Sequence, residues 1–278
     1  MSTLLDESTR ARPNPRQEAA AGVKGARRRG RTLAWARGIA GVLVLLAVWE
    51  VAPRLELVNS RFVPPISVVL ETWWEMLGNG KLWTHFSASI SRSLIGFSLA
   101  LVVAVPLGAA IAWYTPVRQF FTPVLEIFRN TAALALLPVF VMVLGIGETS
   151  KIAIVAFACF FPILLNTISG VSNVDEQLLR TAKVLGLSPL ATFVKVVFPA
   201  AVSTIFVGIR IAAEAAIIVL IAAEMIGATA GLGFLINYAQ YNFLIPQMYA
   251  GIIAITMIGV AVNYGLVGIE KRLSRWKG

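Results

Sequence analysis

"RTAKVLGLSPLATFVKVVFPA", residues 180–200, carries three cations, a glycine and a Ser-Pro pair between long apolar stretches. Gly186 is well placed to end a first helix, because glycine readily adopts the left-handed conformation common just after a helix C-terminus. Ser188 can then cap a second helix that has Pro189 at its first position. The segment therefore predicts a polar helix-turn-helix that interrupts an apolar chain.

The first of these two helices has two different sides. Asp175 and Glu176 favour its N-terminus through the helix dipole. Arg180 and Lys183 lie on one side of it. The other side carries an apolar stripe of Leu178, Leu179, Ala182 and Leu185. Such a stripe suits docking into a groove of another protein, but it also suits packing against the chain's own bundle.

The composition of the chain is that of a membrane protein. Of its 278 residues, 58% are hydrophobic and only 14% are charged, and the mean hydropathy is +0.79. A soluble domain is nearer half apolar and a quarter charged. The sequence therefore predicts an all-α, polytopic membrane protein.

Six apolar segments are long enough to cross a bilayer, which takes about 20 residues. They cover residues 34–52, 89–114, 120–146, 151–170, 201–226 and 249–269. The third is unusual, because Pro123 and Pro138 interrupt it and its first half carries charged residues. We expect a break within that span.

The cations predict the orientation of the chain. Nine of the 24 Lys and Arg residues precede Ile39, and four more lie in "KRLSRWKG" at the C-terminus. Cations beside spans follow the positive-inside rule, so both termini are predicted to be cytoplasmic. Residues 1–33 show no apolar period and are predicted to be a disordered basic tail near lipid headgroups. This clustering disfavours nucleic acid as a partner, despite the net charge of +10.

Residues for catalysis and for metal or ATP binding are sparse. The sequence has no Gly-x4-Gly-Lys-Ser/Thr phosphate loop, so no bound ATP is expected in this chain. His85 and Cys159 are the sole residues of their kinds, which disfavours a metal centre and a membrane enzyme. "GATAGLG", residues 227–233, lacks a lysine and is predicted to be a tight turn before a short helix.

A few ionisable or amide side chains within the spans are candidates for the solute pathway or its gate. Arg210 and Glu214 lie four residues apart, so they either neutralise each other or face the pathway. Glu224 lines the mouth or lies at the membrane interface. Arg129 and Asn130 lie at the expected break. There they could bind an anionic solute, or Arg129 could donate to backbone carbonyls that the prolines leave without a partner.

The 180–200 segment resembles the cytoplasmic EAA loop of permease subunits in bacterial ABC importers. That loop reads Glu-Ala-Ala, three residues, Gly, about nine residues, then Ile-x-Leu-Pro. The matching positions here are Arg180, Thr181, Ala182, Gly186, Val196, Phe198 and Pro199. Arg180 and Thr181 depart from the usual Glu and Ala, which puts any polar contact of that Glu in doubt.

Four further stretches look like the nitrate, sulfonate and taurine branch of these permeases. They are "LWTHFSASISRSLIGFSLAL" (82–101), "LALLPVFVMVLGIGETSKI" (134–152), "FFPILLNTISGV" (160–171) and "AAEMIGATAGLGFLI" (222–236). Each is weak alone, but together they appear in order and at the family spacing. The resemblance covers most of the chain after the tail.

The resemblance implies a type I permease domain over residues 34–278, with an ATPase-coupling loop at 175–199. It implies a homodimer in the bacterial inner membrane with two cytoplasmic ATPase subunits, which hold ATP and Mg, and an extracytoplasmic binding protein. The solute would be a small sulfonate, taurine or nitrate, following the dimer axis. The coupling residues would be Leu178, Arg180, Thr181, Ala182, Leu185, Gly186 and Pro199. The alternative is a self-contained secondary carrier or channel driven by an ion gradient.

Overall fold

The structure is a computed structural model that describes residues 37–129 and 131–273. Every regular element in that part of the chain is helical, which confirms the all-α class. The described residues fall into two compact units that divide after Ser67. The predicted tail at 1–33 lies outside the described residues.

Eleven α-helices follow one another along the described part of the chain. They are α1 (37–54), α2 (Ile66–Gly78), α3 (Lys81–Trp113), α4 (Thr115–Arg129), α5 (Leu137–Leu144), α6 (Glu148–Ser172), α7 (Glu176–Val184), α8 (Pro189–Thr192), α9 (Phe198–Met225), α10 (Leu232–Tyr241) and α11 (Ile245–Leu273). A 3-10 turn, Ala133–Leu136, precedes α5, and a π-helical turn, Phe193–Val197, joins α8 to α9.

Four described helices are long and apolar enough to cross a membrane: Lys81–Trp113, Glu148–Ser172, Pro189–Met225 and Ile245–Glu270. The pair Thr115–Phe128 and Ala133–Leu144 would make a fifth span, bent by 85°. This bend falls within the third predicted span and confirms its break. Helix α1 overlaps the first predicted span but carries three charged residues, Arg37, Glu50 and Arg54, and is not among the four. Six spans therefore remain a prediction.

Helices α3, α6 and α9 form the core of the second unit. Small residues let their backbones approach closely, as is common where helices pack in membranes. A Cβ atom on Gly108 of α3 would lie 2.9 Å from the carbonyl oxygen of Leu164 in α6. A Cβ atom on Gly208 of α9 would lie 2.7 Å from the carbonyl oxygen of Pro162. These contacts leave little room for sliding, so the ends of the three helices are held at fixed positions.

In the first unit, the chain after α1 turns back along that helix. Ser67 donates to the Glu50 carboxylate from its backbone N–H (3.0 Å) and from its hydroxyl (2.9 Å). Arg54, one turn after Glu50, pairs with the same carboxylate at 2.5 Å. The indole N–H of Trp49 donates to the carbonyl of Pro64 at 3.1 Å. These bonds close the loop that follows α1.

The sequence of helix α2 predicts a helix on the membrane surface, with Val69, Trp73, Met76 and Leu77 on its apolar face. In the structure Val69 and Met76 are buried. Met76 packs in a cluster with Leu232 and Leu235 of α10. Part of the apolar face therefore packs against the chain's own helices, while Leu77 stays exposed.

Candidate functional site

Helix α7, in the 175–199 loop, is capped at its N-terminus by a side chain and at its C-terminus by backbone hydrogen bonds. The carboxylate of Asp175 accepts the N–H of Gln177 at 2.8 Å. At the other end Gly186 has a φ of +69°, and the N–H of Leu187 donates to the carbonyl of Ala182 at 3.1 Å. This is the reach-back bond of a left-handed glycine cap. The predicted stop at Gly186 is confirmed.

The second helix of the loop continues directly into a long span. The hydroxyl of Ser188 accepts the N–H of Ala191 at 3.3 Å, and Pro189 is the first residue of α8. From Pro189 to Met225 the chain forms one span-length helix, with Pro199 in the first turn of α9. The predicted helix-turn-helix is therefore confirmed, and a short capped turn joins α7 through α8 to α9.

Part of the apolar stripe predicted on α7 is buried against the bundle, and part of it is exposed. Ala182 is buried, and Leu179 packs against the main core of the bundle. Leu178 is exposed, as are Val184 (87% exposed) and Leu185 (71% exposed). Helix α7 therefore uses part of its apolar surface to fix itself on the bundle and leaves the rest uncovered. Ala182, as a buried residue, supports α7 rather than offering a contact surface.

The two residues that depart from the usual loop pattern make local contacts. Arg180 pairs with Glu176 at 3.0 Å on the exposed side of α7. The hydroxyl of Thr181 donates to the carbonyl of Gln177 at 2.8 Å. Neither contact reaches another helix, so the fold of the loop does not depend on the Glu of the family pattern.

An ion cluster with a buried centre and one exposed carboxylate lies at the opposite end of the bundle. Arg92 of α3 bonds the carboxylate of Glu224 in α9 at 2.6 Å and the carboxylate of Glu148 in α6 at 2.6 Å. The same guanidinium donates to the carbonyl of Ala230 at 2.6 Å. We call Ser89, Arg92, Glu148 and Glu224 the Arg92 cluster. It joins α3, α6 and α9 to the turn before α10.

Side chains near the cluster also cap the N-terminus of α10. The N–H of Gly231 donates to Nδ1 of His85 at 3.2 Å, and the N–H of Leu232 donates to the Ser89 hydroxyl at 2.8 Å. The N–H of Gly233 donates to Glu224 at 2.9 Å. The first N–H groups of a helix have no partner within it, so these three bonds satisfy donors that would otherwise be buried without one.

The glycine at position 231 is required by this arrangement. Its φ of +127° is rarely adopted by residues with a side chain. A Cβ atom there would also overlap the Glu224 carboxylate. The predicted role of "GATAGLG" as a tight turn before a short helix is confirmed, because α10 begins at Leu232.

The cluster and its neighbours balance their charges. Lys151 of α6 is buried and donates to the carbonyl of Gly147 at 2.9 Å and more weakly to that of Gly227 at 3.4 Å. Two cations, Arg92 and Lys151, thus accompany two carboxylates, Glu148 and Glu224. A balanced group of this kind avoids leaving an uncompensated charge in a medium of low dielectric constant.

Sequence reasoning singled out Glu224 in this region and missed the residues that hold it. Glu224 is 1% exposed, so its side chain does not line an open mouth, and whether it lies at the depth of the membrane interface stays a prediction. Arg92, Glu148 and Lys151 were not singled out. The signal available was their charge, since ionisable residues within spans need partners. Three of the four family-like stretches contain these residues and meet at this cluster.

The mutual ion pair of Arg210 and Glu214, one of the two alternatives predicted for these residues, does not form. Arg210 pairs with Glu270 near the C-terminal end of α11. Glu214 is exposed on α9. Helix α11 packs beside α9 and brings Glu270 within reach of Arg210. Asn130 and the side chain of Arg129 lie outside the described residues, so their predicted role remains untested.

The observed pair predicts a stability coupling. Arg210→Ala and Glu270→Ala should each lower the thermal unfolding midpoint of the purified protein, because each leaves one charge without its partner. The double variant should recover part of that loss. Arg210→Ala combined with Glu214→Ala serves as the control and should be additive. Coupling of Arg210 to Glu214 instead of Glu270 would contradict the observed pairing.

Residues 103–277 match the family described as the inner membrane component of binding-protein-dependent transport systems. The chain belongs to this family. The match includes the whole 175–199 loop. The resemblance noted from that loop is confirmed.

Two relatives and one solved structure place this permease more closely. It is 34% identical to the taurine transport system permease protein TauC of Escherichia coli over 245 residues, which cover 86% of this chain and 89% of TauC. It is 30% identical to the putative aliphatic sulfonates transport permease protein SsuC of Bacillus subtilis over 272 residues, 98% of this chain and 97% of SsuC. The inward-facing MetNI methionine ABC transporter shares the fold, with a TM-score of 0.60 at 15% identity over 67% of this chain and 93% of that chain.

These matches establish the class of the protein. It is a multi-pass membrane permease subunit of an ABC importer, a transport component rather than an enzyme. A permease of this family works with an ATPase and a substrate-binding protein. The two described sites, the exposed α7 and the Arg92 cluster, lie at opposite ends of α9.

Proposed function

We propose that two copies of this permease form the membrane path for a small sulfonate, powered by two cytoplasmic ATPase subunits. The ATPase subunits hold ATP and Mg, and this chain holds neither. An extracytoplasmic binding protein delivers the solute. Both termini and the 175–199 loop lie in the cytoplasm of a bacterial cell, and six spans cross its inner membrane.

The uncovered apolar surface of α7 is the observation that carries this proposal. Leu178, Val184 and Leu185 are exposed on a short helix that is capped at both ends and continuous with a span through α8. An amphipathic helix of this kind fits an apolar groove of a partner protein. The ATPase closes on ATP, and α7 carries that motion into α9.

The distribution of cations supports the orientation. The 175–199 loop carries Arg180, Lys183 and Lys195, whereas the turn between α9 and α10 and helix α10 itself carry no Lys or Arg. The loop side is therefore cytoplasmic by the positive-inside rule. It follows that the Arg92 cluster lies near the extracytoplasmic surface, where the binding protein arrives.

The solute class rests on the relatives, whose names refer to taurine and to aliphatic sulfonates. The binding protein of the same importer offers a direct test. Its thermal unfolding midpoint should rise with a small sulfonate and stay unchanged with an unrelated neutral solute of similar size, since a ligand that binds only the folded state stabilises it.

A transport assay distinguishes an ATP-driven importer from a self-contained carrier. In proteoliposomes holding permease, ATPase and internal ATP, uptake of the stabilising sulfonate should require both ATP and the liganded binding protein. A protonophore should leave the rate unchanged. Uptake by the permease alone along an ion gradient would reject the proposal in favour of a secondary carrier or channel.

A further inference from the structure

Glu214 stands apart among the acidic residues of the four described helices that are long enough to span a membrane. Glu148 and Glu224 bind Arg92, and Glu270 binds Arg210. Glu214 is exposed and forms no ion pair with any other described residue. It is thus the one carboxylate of those helices whose charge is not met by another described residue of the second unit.

The position of Glu214 makes this charge significant. It lies on an exposed stripe of α9 whose other members are apolar: Val207, Ile211 and Ile218. Helix α9 ends at Met225, eleven residues later. At 1.5 Å per residue this places Glu214 about 16 Å from that end, which is about half the thickness of a bilayer core.

A carboxylate at that depth is costly if it faces lipid. Ionisable residues in spans therefore face protein or a water-filled space in nearly all cases. Since Glu214 points away from the other helices of the second unit, the space it faces lies outside that unit. The charge that meets it must come from there as well.

We propose that Glu214 faces the solute pathway and binds a positively charged ammonium group of the solute. This refinement depends on the function proposed above. A simple alkanesulfonate or nitrate has only negative charge and is repelled by Glu214. A zwitterionic aminoalkyl sulfonate offers an ammonium group with three donors, which a carboxylate accepts in charge-assisted hydrogen bonds. The substrate class is therefore an amino-sulfonate.

Two probes that differ only in the amino group test this assignment. Taurine and ethanesulfonate share the two-carbon sulfonate, and ethanesulfonate lacks the ammonium. Uptake of each is measured in proteoliposomes holding the complete importer and ATP, at concentrations that saturate the binding protein. The rates then report passage through the permease rather than capture.

The wild-type permease should carry taurine faster than ethanesulfonate. Glu214→Gln keeps the shape of the side chain and removes its charge, so the taurine rate should fall about tenfold or more, as expected for loss of a charge-assisted hydrogen bond. The ethanesulfonate rate should stay the same or rise. Glu214→Asp keeps the charge and should retain most of the preference for taurine.

Membrane levels and ATPase co-purification, measured alongside, separate recognition from folding. An unchanged ratio of the two rates in Glu214→Gln would overturn the assignment. If that variant does not insert, Glu214→Asp decides, and loss of the preference for taurine in Glu214→Asp would overturn the assignment. An equal loss for both probes with weaker self-association would instead assign Glu214 to the contact between permease copies. If the wild type carries neither probe, the proposed sulfonate class fails together with this refinement.

Discussion

Replacing Arg92 by alanine should destabilise this permease more than the loss of Arg180, Arg210 or Glu148. The change leaves Glu224 buried without its cation and leaves the carbonyl of Ala230 without its donor. Breaking a buried ion pair by removing one partner costs about 3–5 kcal/mol. We expect a large drop in the thermal unfolding midpoint of the purified protein and a low folded yield.

Variants of the same cluster separate burial from simple charge loss. Glu148→Gln should have a much smaller effect, because the side chain of Glu148 is 61% exposed and water screens it. Arg92→Met combined with Glu224→Gln should recover part of the stability, since glutamine still accepts from the N–H of Gly233 and the Ser89 hydroxyl. Arg180→Ala breaks an exposed ion pair and is the matched arginine control, with an effect of about 0–1 kcal/mol. If Arg92→Ala unfolds no more easily than this control, the cluster does not hold the helix ends together.

Gly186→Val should uncouple the permease from its ATPase while leaving the spans inserted. The φ of +69° at this position costs a residue with a side chain about 1–2 kcal/mol, and the cost is higher for a β-branched residue. The strain is relieved if the bond from Leu187 to Ala182 opens and α7 turns away. We expect normal membrane levels, weak ATPase co-purification and loss of ATP-driven uptake.

Two further substitutions isolate the position of α7 as the cause. A Cβ atom at Gly186 has nothing within 4 Å, so the effect of valine there is backbone strain rather than a clash. Gly80 has a φ of +75° with equally open surroundings, and Gly80→Val should therefore leave ATPase association intact. Gly186→Asn should restore much of the association, because asparagine tolerates the left-handed conformation. Full association and transport in Gly186→Val would mean that the loop is only a connector.

Features of this protein that depend on residues close together in the chain could be predicted from the amino-acid sequence. Apolar runs of sufficient length indicated membrane helices, and the break predicted within the third span is found where the chain bends by 85° between α4 and the turn before α5, although Pro123 itself lies inside α4. The caps at Asp175, Gly186 and Ser188 could be predicted because a cap involves residues only a few positions apart. For the same reason the whole 175–199 helix-turn-helix was predicted correctly.

Which polar side chains meet depends on the tertiary fold and could not be predicted in this way. Arg92 lies 132 positions from Glu224 and 56 from Glu148, and Arg210 lies 60 positions from Glu270. The four-residue spacing made Glu214 a possible ion-pair partner of Arg210. Spacing along one helix, however, does not show which residues of a neighbouring helix lie at the same depth in the membrane. An ion pair within a membrane depends on how each helix is rotated and how far it is shifted along its neighbours, and close packing among α3, α6 and α9 sets both.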